Sequence, residues 1–251
     1  MINYETAGDP AAPALMLLHG FMSSTLQWSP NVERLSESFH VVSIDLWGHG
    51  ESPAPRDEAA YSVDGYAEAF DTVREALGIR QWGVCGQSFG AGIAMKYAHA
   101  RRSDVSAIIT TNSRSVFAAD FSSRAPRHTQ DEWLEADLRR LPYHPRHARR
   151  FPPELRERMA AVADRLDRYG LWAAMTITGP QLSCRTILPE IEQPFLLING
   201  LWERSFQPER HYVETVMPEA QFVDLEGGHS VNIEEPVGFN KAVARFLTSL
   251  G

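Results

Sequence analysis

The sequence predicts an α/β fold, a mostly parallel sheet flanked by helices and interrupted once by a helical insertion. Three observations carry this. Apolar runs of strand length alternate with helix-like stretches along most of the chain. One strand-to-helix transition, Gly86-Gln87-Ser88-Phe89-Gly90, has the G-x-S-x-G form of a sharp turn. Finally, about eighty residues between the run ending near Thr111 and the run starting at Phe195 carry no strand signal.

Taken in order, the chain opens on a strand-like segment, and Ala14-Leu15-Met16-Leu17-Leu18 is a second apolar run of strand length. A helix over residues 26–38 leads to a strand at 40–45. A longer helix at 62–77 has Ser62 and Asp64 as candidate N-caps and Gly78 as its stop. Residues 81–85 read as the strand beneath the G-x-S-x-G turn, and 91–99 as the helix behind it. Strands follow at 105–111, 195–200 and 220–225. The last helix, 236–250, puts Val237, Val243, Phe246, Leu247 and Leu250 mostly on one face. Strand-then-helix units of this kind imply right-handed crossovers.

A parallel sheet needs only one helix between the strands ending at Thr111 and starting at Phe195. The surplus defines residues 114–188 as a helical cap, with residues 1–113 and 189–251 as the core. Cap helices are expected at 130–141, 153–169 and 171–177. Phe117, Phe121, Trp133, Trp172 and Met175 are candidate pocket-lining residues, with packing inside the cap as the alternative for each.

Composition narrows the class. A chain of 251 residues is long enough for one α/β domain with a cap, burying about 70–75% of its unfolded surface. No apolar run is long enough to span a membrane, and no basic stretch followed by an apolar one marks a secretory signal. Only Cys85 and Cys184 occur, far apart, which suits reduced thiols and a cytoplasmic location. The net charge of −8 argues against nucleic acid as a partner. The histidines show no metal-ligand spacing, so neither a metal nor a cofactor is expected. The cap concentrates Arg139, Arg140, Arg146, Arg149, Arg150, Arg156 and Arg158, in a chain whose only lysines are Lys96 and Lys241. This cluster reads either as ordinary surface charge or as a patch steering an anionic substrate or an acidic carrier protein.

Three places carry chemistry. A serine on a sharp strand-to-helix turn has its hydroxyl pushed above the sheet, and Gly86 and Gly90 allow the close passage of strand and helix. The strand at 14–18 ends in His19-Gly20-Phe21-Met22, where glycine lets a backbone N–H approach a developing oxyanion. The strand at 220–225 runs into Gly227-Gly228-His229-Ser230, a loop from which an imidazole can reach Ser88 as general base. Glu203, three residues past Gly200, is the acid best placed to orient His229, with Asp120 as the alternative from the preceding strand. The order serine, acid, histidine differs from that of the chymotrypsin and subtilisin proteases.

These residues resemble those of the α/β-hydrolase fold superfamily, in its small esterase-like branch. His19-Gly20-Phe21 resembles the oxyanion motif, Asp45-Leu46-Trp47-Gly48-His49-Gly50-Glu51-Ser52 the D-x-x-G-x-G-x-S turn, and Gly228-His229 with Glu234 and Pro236 the G-H-x-x-x-x-E-x-P ending. The resemblance implies an eight-stranded, mostly parallel sheet and oxyanion N–H groups on Phe21 and Phe89. It also implies Ser88, Glu203 and His229 as a catalytic triad, although the acid in the family is usually aspartate. The expected activity is hydrolysis of a carboxylic ester or lactone on a small to medium, partly apolar substrate. Carbon–carbon bond hydrolysis of a diketone, or a receptor-like protein that binds a ligand with little turnover, are the alternatives.

Overall fold

A computed structural model describes residues 1–119 and 129–250. Its strands are β1 (Tyr4–Ala7), β2 (Ala14–Leu18), β3 (His40–Ile44), β4 (Trp82–Gly86), β5 (Val105–Thr111), β6 (Phe195–Gly200) and β7 (Gln221–Leu225). They form one sheet in the order β1-β3-β2-β4-β5-β6-β7, with β1 antiparallel to β3 and every other pair parallel. The described sheet therefore has seven strands, not eight. Residues 1–13 supply a single strand before Gly8 (φ 89°) turns the chain toward β2. A Cβ at Gly8 would lie 2.2 Å from the Phe39 carbonyl oxygen.

The described helices are α1 (Ser29–Ser36), α2 (Val63–Ala76), α3 (Phe89–Ala100), α4 (Arg114–Phe117), α5 (Gln130–Glu135), α6 (Pro153–Ala163), α7 (Arg168–Ala173), α8 (Gln207–Val216), α9 (Val231–Glu234) and α10 (Pro236–Thr248). Strands β2, β3 and β4 are buried on both sides, which is why they read as unbroken apolar runs. Their alternate residues nonetheless divide between two cores. Met16, Leu18, Val42 and Val84 pack with Phe70 of α2 and Ile93 of α3, whereas Leu15, Leu17, Val41 and Cys85 pack with Leu35 of α1 and Phe239, Val243 and Phe246 of α10. Burying a side chain of this size contributes about 1.5–3 kcal/mol.

Local chemistry sets the ends of the helices. The Ser62 hydroxyl accepts from the N–H of Gly65, and α2 stops before Gly78 (φ 66°). The helix expected at 26–38 starts as a 3-10 turn, Thr25–Trp28, and continues as α1. The helix expected at 130–141 breaks after Glu135, because the Asp137 carboxylate caps a new 3-10 turn by accepting from Arg139 N. That at 153–169 breaks likewise where Asp167 caps α7. A short polar side chain competes for backbone N–H groups and restarts a helix. The stretch at 171–177 ends in a π-turn, Ala174–Thr178. On α10 Val237 is exposed, as is Leu250 just past its end, so the buried face is Phe239, Val243 and Phe246. Every described element between β5 and β6 is helix or loop.

β3 lies on one side of β2, and β4, the next strand in the chain, lies on the other. This reversal opens a crevice at the carboxyl ends of β2 and β4, where ligands of open α/β sheets bind. The two strands pair in step, Ala14 with Trp82 through Leu18 with Gly86, so their following loops rise to the same height.

Candidate active site

Ser88 is the residue on which the crevice converges. Its backbone holds φ 53° and ψ −113°, and with Met22 it is one of two non-glycine residues of positive φ among those described. Such a conformation costs on the order of 1–3 kcal/mol and persists only where the surroundings impose it. Here they do. A Cβ on Gly86 would stand 2.4 Å from the Gly90 carbonyl oxygen, and one on Gly90 2.4 Å from that of Leu18. The Ser113 hydroxyl donates to the Ser88 carbonyl at 2.9 Å.

The loop after β7 brings His229 over the serine. Its Nε2 lies 2.9 Å from Ser88 Oγ, and its Nδ1 lies 2.9 Å from Glu203 Oε2. Glu203 arrives from the loop after β6, at the position expected. Gly200 makes this meeting possible, since a Cβ there would lie 2.1 Å from the Gly228 carbonyl oxygen. Asn112, at the end of β5, clamps the same glycine: its Oδ1 accepts from Gly200 N at 2.7 Å, and its Nδ2 donates to Gly200 O at 3.0 Å. Asp120, the other acid considered, lies outside the described residues, as does Phe121.

Burial opposes protonation of His229. The hydrogen bond and charge of Glu203, with the charge of Glu234, outweigh it and hold the imidazole above its usual pKa. The side chain is still 47% exposed, so the opposing burial is that of a cleft floor and not of a dry core. Gly228 N donates to Glu234 Oε2 at 2.8 Å, fixing the loop just before the imidazole.

Phe21 and Phe89 follow β2 and Ser88 respectively, and their rings stand 5.7 Å apart. Neither backbone N–H donates to a protein acceptor among the described residues. Phe89 is the first residue of α3, where helix geometry leaves N–H groups unpaired and positive in potential. His19 anchors the other loop. Its Nε2 accepts from Leu46 N at 3.0 Å, which leaves Nδ1–H to donate to Gly20 O at 2.7 Å. Burial lowers the pKa of His19 despite the opposing Asp45 charge, and burial with neighbouring His19 lowers that of His49 to about 3. Both rings are neutral supports. The D-x-x-G-x-G-x-S turn is structural too: Asp45 accepts from Thr25 N, Glu51 N and Asn3 Nδ2, and Ser52 Oγ donates to Asp45 O.

A buried relay that no sequence motif marks links these loops. Gly20 N donates to Gln27 Oε1, Gln27 Nε2 to Gln87 Oε1, and Gln87 Nε2 to His229 O, each at 3.1 Å. Both glutamines are 2% exposed. This buried relay ties together the loops bearing Phe21, Ser88 and His229. Gln87 is the variable residue of G-x-S-x-G, and no pattern in the sequence marks Gln27.

A cavity of about 550 Å³ opens above Ser88 and His229. Its floor includes Phe21, Gln27 and Gln87, and its outer wall is the stretch 142–151 with Met159 of α6. Trp133, Trp172 and Met175 are not on this wall. They pack beside it with Met22, Leu138, Leu166 and Leu171, so the packing alternative holds for them. Phe117 is fully buried and packs in the core against Phe206. The reason is that the chain between α5 and α6, together with Met159 of α6, overhangs the crevice. Among the described residues no cluster of His, Cys, Asp or Glu could hold a metal ion, and no helix is long and apolar enough to cross a membrane. Cys85 and Cys184 are buried free thiols. Burial raises both pKa values, that of Cys184 to about 12, which leaves neither nucleophilic near neutral pH.

Comparison with known proteins fits this architecture. The model of the α/β-hydrolase fold family matches residues 13–164, and the chain belongs to that family. Its kinship is with enzymes. A Bacillus subtilis protein provisionally named 2-succinyl-6-hydroxy-2,4-cyclohexadiene-1-carboxylate synthase is 30% identical, over 99% of this chain and 96% of its own length. Among solved structures, a thermophilic esterase from Thermogutta terrifontis superposes with TM-score 0.85 at 22% identity, covering 99% of this chain and 93% of that one. The enol-lactonase from Burkholderia xenovorans LB400 gives 0.76 at 24% identity, covering 98% and 96%. At these identities the structural likeness speaks to fold.

Proposed function

We propose that this protein is a serine hydrolase of carboxylic esters or lactones that works through an acyl-enzyme. The observation that carries the reading is the line from Ser88 Oγ through His229 to Glu203, with both hydrogen-bond distances at 2.9 Å. His229 Nε2 takes the serine proton as Oγ attacks the substrate carbonyl carbon. The charge that builds on the carbonyl oxygen is received by the N–H groups of Phe21 and Phe89, a donor of this kind contributing about 3–4 kcal/mol to the transition state. His229 then returns the proton to the leaving oxygen. Water, deprotonated by the same imidazole, releases the acid. Glu203 keeps Nδ1 protonated and stabilises the transient imidazolium. In this reading residues 114–188 act as the cap that shapes the substrate cavity, and no cofactor takes part.

A second reading has a specific observation behind it. The Bacillus subtilis relative bears the name of a synthase, so the same three side chains could serve a bond other than an ester. Turnover of a panel of aryl esters, lactones and diketones, with fluorophosphonate labelling, separates these readings from a receptor-like protein with no turnover. Ester or lactone turnover that vanishes in Ser88→Ala supports the first reading. Labelling that persists at another residue would end it.

A further inference from the structure

We propose that the cap-side wall of the cavity is an anion subsite, formed by Arg149 and Arg150, which selects esters or lactones whose acyl part carries a second, free carboxylate. This rests on the reading of Ser88 as nucleophile and names its substrate class.

The wall presenting these arginines is anchored on both sides. Pro145 is buried, and His144 accepts from Arg146 N through Nδ1, which leaves Nε2–H for Asp164 Oδ1 at 3.2 Å. Burial keeps the His144 pKa low, so the ring is a neutral post. On the other side Phe151 packs with Leu155, Met159 and Ile233. Between the anchors the chain turns tightly, with Arg149 N donating to His147 O and Phe151 N to Ala148 O. The guanidinium groups therefore leave a fixed turn on the cavity wall.

Arg150 reaches the loop that carries His229. Its Nη1 lies 2.6 Å from where a Cβ of Gly228 would stand, next to His229, and its Cζ lies 5.0 Å from the centroid of the Trp202 ring. Glycine at 228 is what leaves room for it. Glu234 Oε2, which also accepts from Gly228 N at 2.8 Å, forms an ion pair with Arg150 at 3.8 Å, so Arg150 is partly compensated. Arg149 has no carboxylate within 4.0 Å among the described residues, whereas Arg139 and Arg140 in the same cap are paired with Asp164 and Asp137. The cavity wall thus holds an uncompensated guanidinium in a protein of net charge −8. A guanidinium fork matches a carboxylate in two parallel hydrogen bonds, and because both arginines are exposed, Arg150 by 56%, that attraction is screened by salt.

The test compares p-nitrophenyl hexanoate with the mono-p-nitrophenyl ester of adipic acid, which share chain length and leaving group and differ in the terminal carboxylate. Wild type should show a kcat/KM about tenfold or more higher for the anionic ester at low salt, mainly through KM, and the preference should shrink as salt rises. Arg149→Gln with Arg150→Gln should lower the anionic-to-neutral ratio about tenfold, and Arg146→Gln, off the wall, should keep it. Equal kcat/KM for the two esters in wild type, or equal losses on both in the double variant, would overturn the subsite. Calorimetric binding of adipate to wild type needs no turnover and no variant. If neither ester is cleaved and Ser88 resists phosphonate, the hydrolase reading fails. Adipate binding that the double variant abolishes would then still support the subsite, and no adipate binding would end it.

Discussion

Replacing Gly20 by alanine probes the buried relay without touching any group that handles protons. The added Cβ would lie 2.3 Å from Gln87 Oε1 and 3.5 Å from Ser88 Cβ. The second contact is ordinary, and the first requires the Gln87 amide to retreat by about 1 Å to reach van der Waals distance. That oxygen accepts from Gln27 Nε2 at 3.1 Å, so the retreat leaves a donor unpaired in a site 2% exposed. An orphaned buried polar group costs about 1–3 kcal/mol. In a chain of this size each kcal/mol lowers Tm by about 2–4 °C. The same displacement loosens the Gln87 hold on the His229 carbonyl, so kcat should fall along with stability. Urea unfolding and ester turnover, measured on Gly20→Ala, Gln87→Ala and the double variant, form the cycle. With Gln87 already truncated the clash disappears, so the double variant should be no less stable than Gln87→Ala alone. Additive losses, or an unchanged Gly20→Ala protein, would refute the relay argument.

Other expectations follow from the site. Ser88→Ala should lose phosphonate labelling and retain only the contribution of binding and the oxyanion donors, on the order of 10³-fold over water. Glu203→Gln should cut kcat by about 10⁴ with the fold intact, as seen by circular dichroism, and Glu203→Asp should restore part of it. On the proposed reading His229 acts as base only when neutral, so kcat/KM should rise with pH through its raised pKa, placing the acid limb above 6.5. Removing the Glu203 charge leaves burial to dominate and should move that limb to lower pH; a limb that stays put would exclude Glu203 as the partner. Trp133→Ala should destabilise by about 3–5 kcal/mol in thermal unfolding while leaving the ratio of kcat/KM values across an ester panel unchanged, because the ring packs beside the cavity and not on its wall.

The core and the three side chains that meet above the sheet are legible in the sequence because each leaves a local mark. Strands β2, β4 and β5 announce themselves as apolar runs bounded by polar turns. Ser88, Glu203 and His229 each follow a strand and sit among glycines that close approaches demand. The stretch between β5 and β6 is less legible. Apolar spacing continues through Asp137 and Asp167, where side-chain capping, invisible to periodicity, restarts the helix. Large aromatics such as Trp133 carry the same hydrophobic signal whether they face a cavity or a core. The relay through Gln27 and Gln87 joins residues sixty positions apart, so only the folded arrangement discloses it.

The in-step pairing of β2 with β4 makes the sheet a ruler for the reaction. Leu18 stands opposite Gly86, so Gly20 and Ser88 each leave the sheet two residues later, on a common level. Adding or deleting one residue within either strand would offset the two loops by about 3.3 Å, more than the length of the serine–histidine hydrogen bond. It would also turn every later side chain of that strand to the opposite core. Changes of length between Glu135 and Leu141 carry no such penalty, since that stretch has no strand to keep register and precedes the turn anchored at His144. Lineages descended from this chain should therefore vary in length beside the cavity and stay invariant in length beneath it.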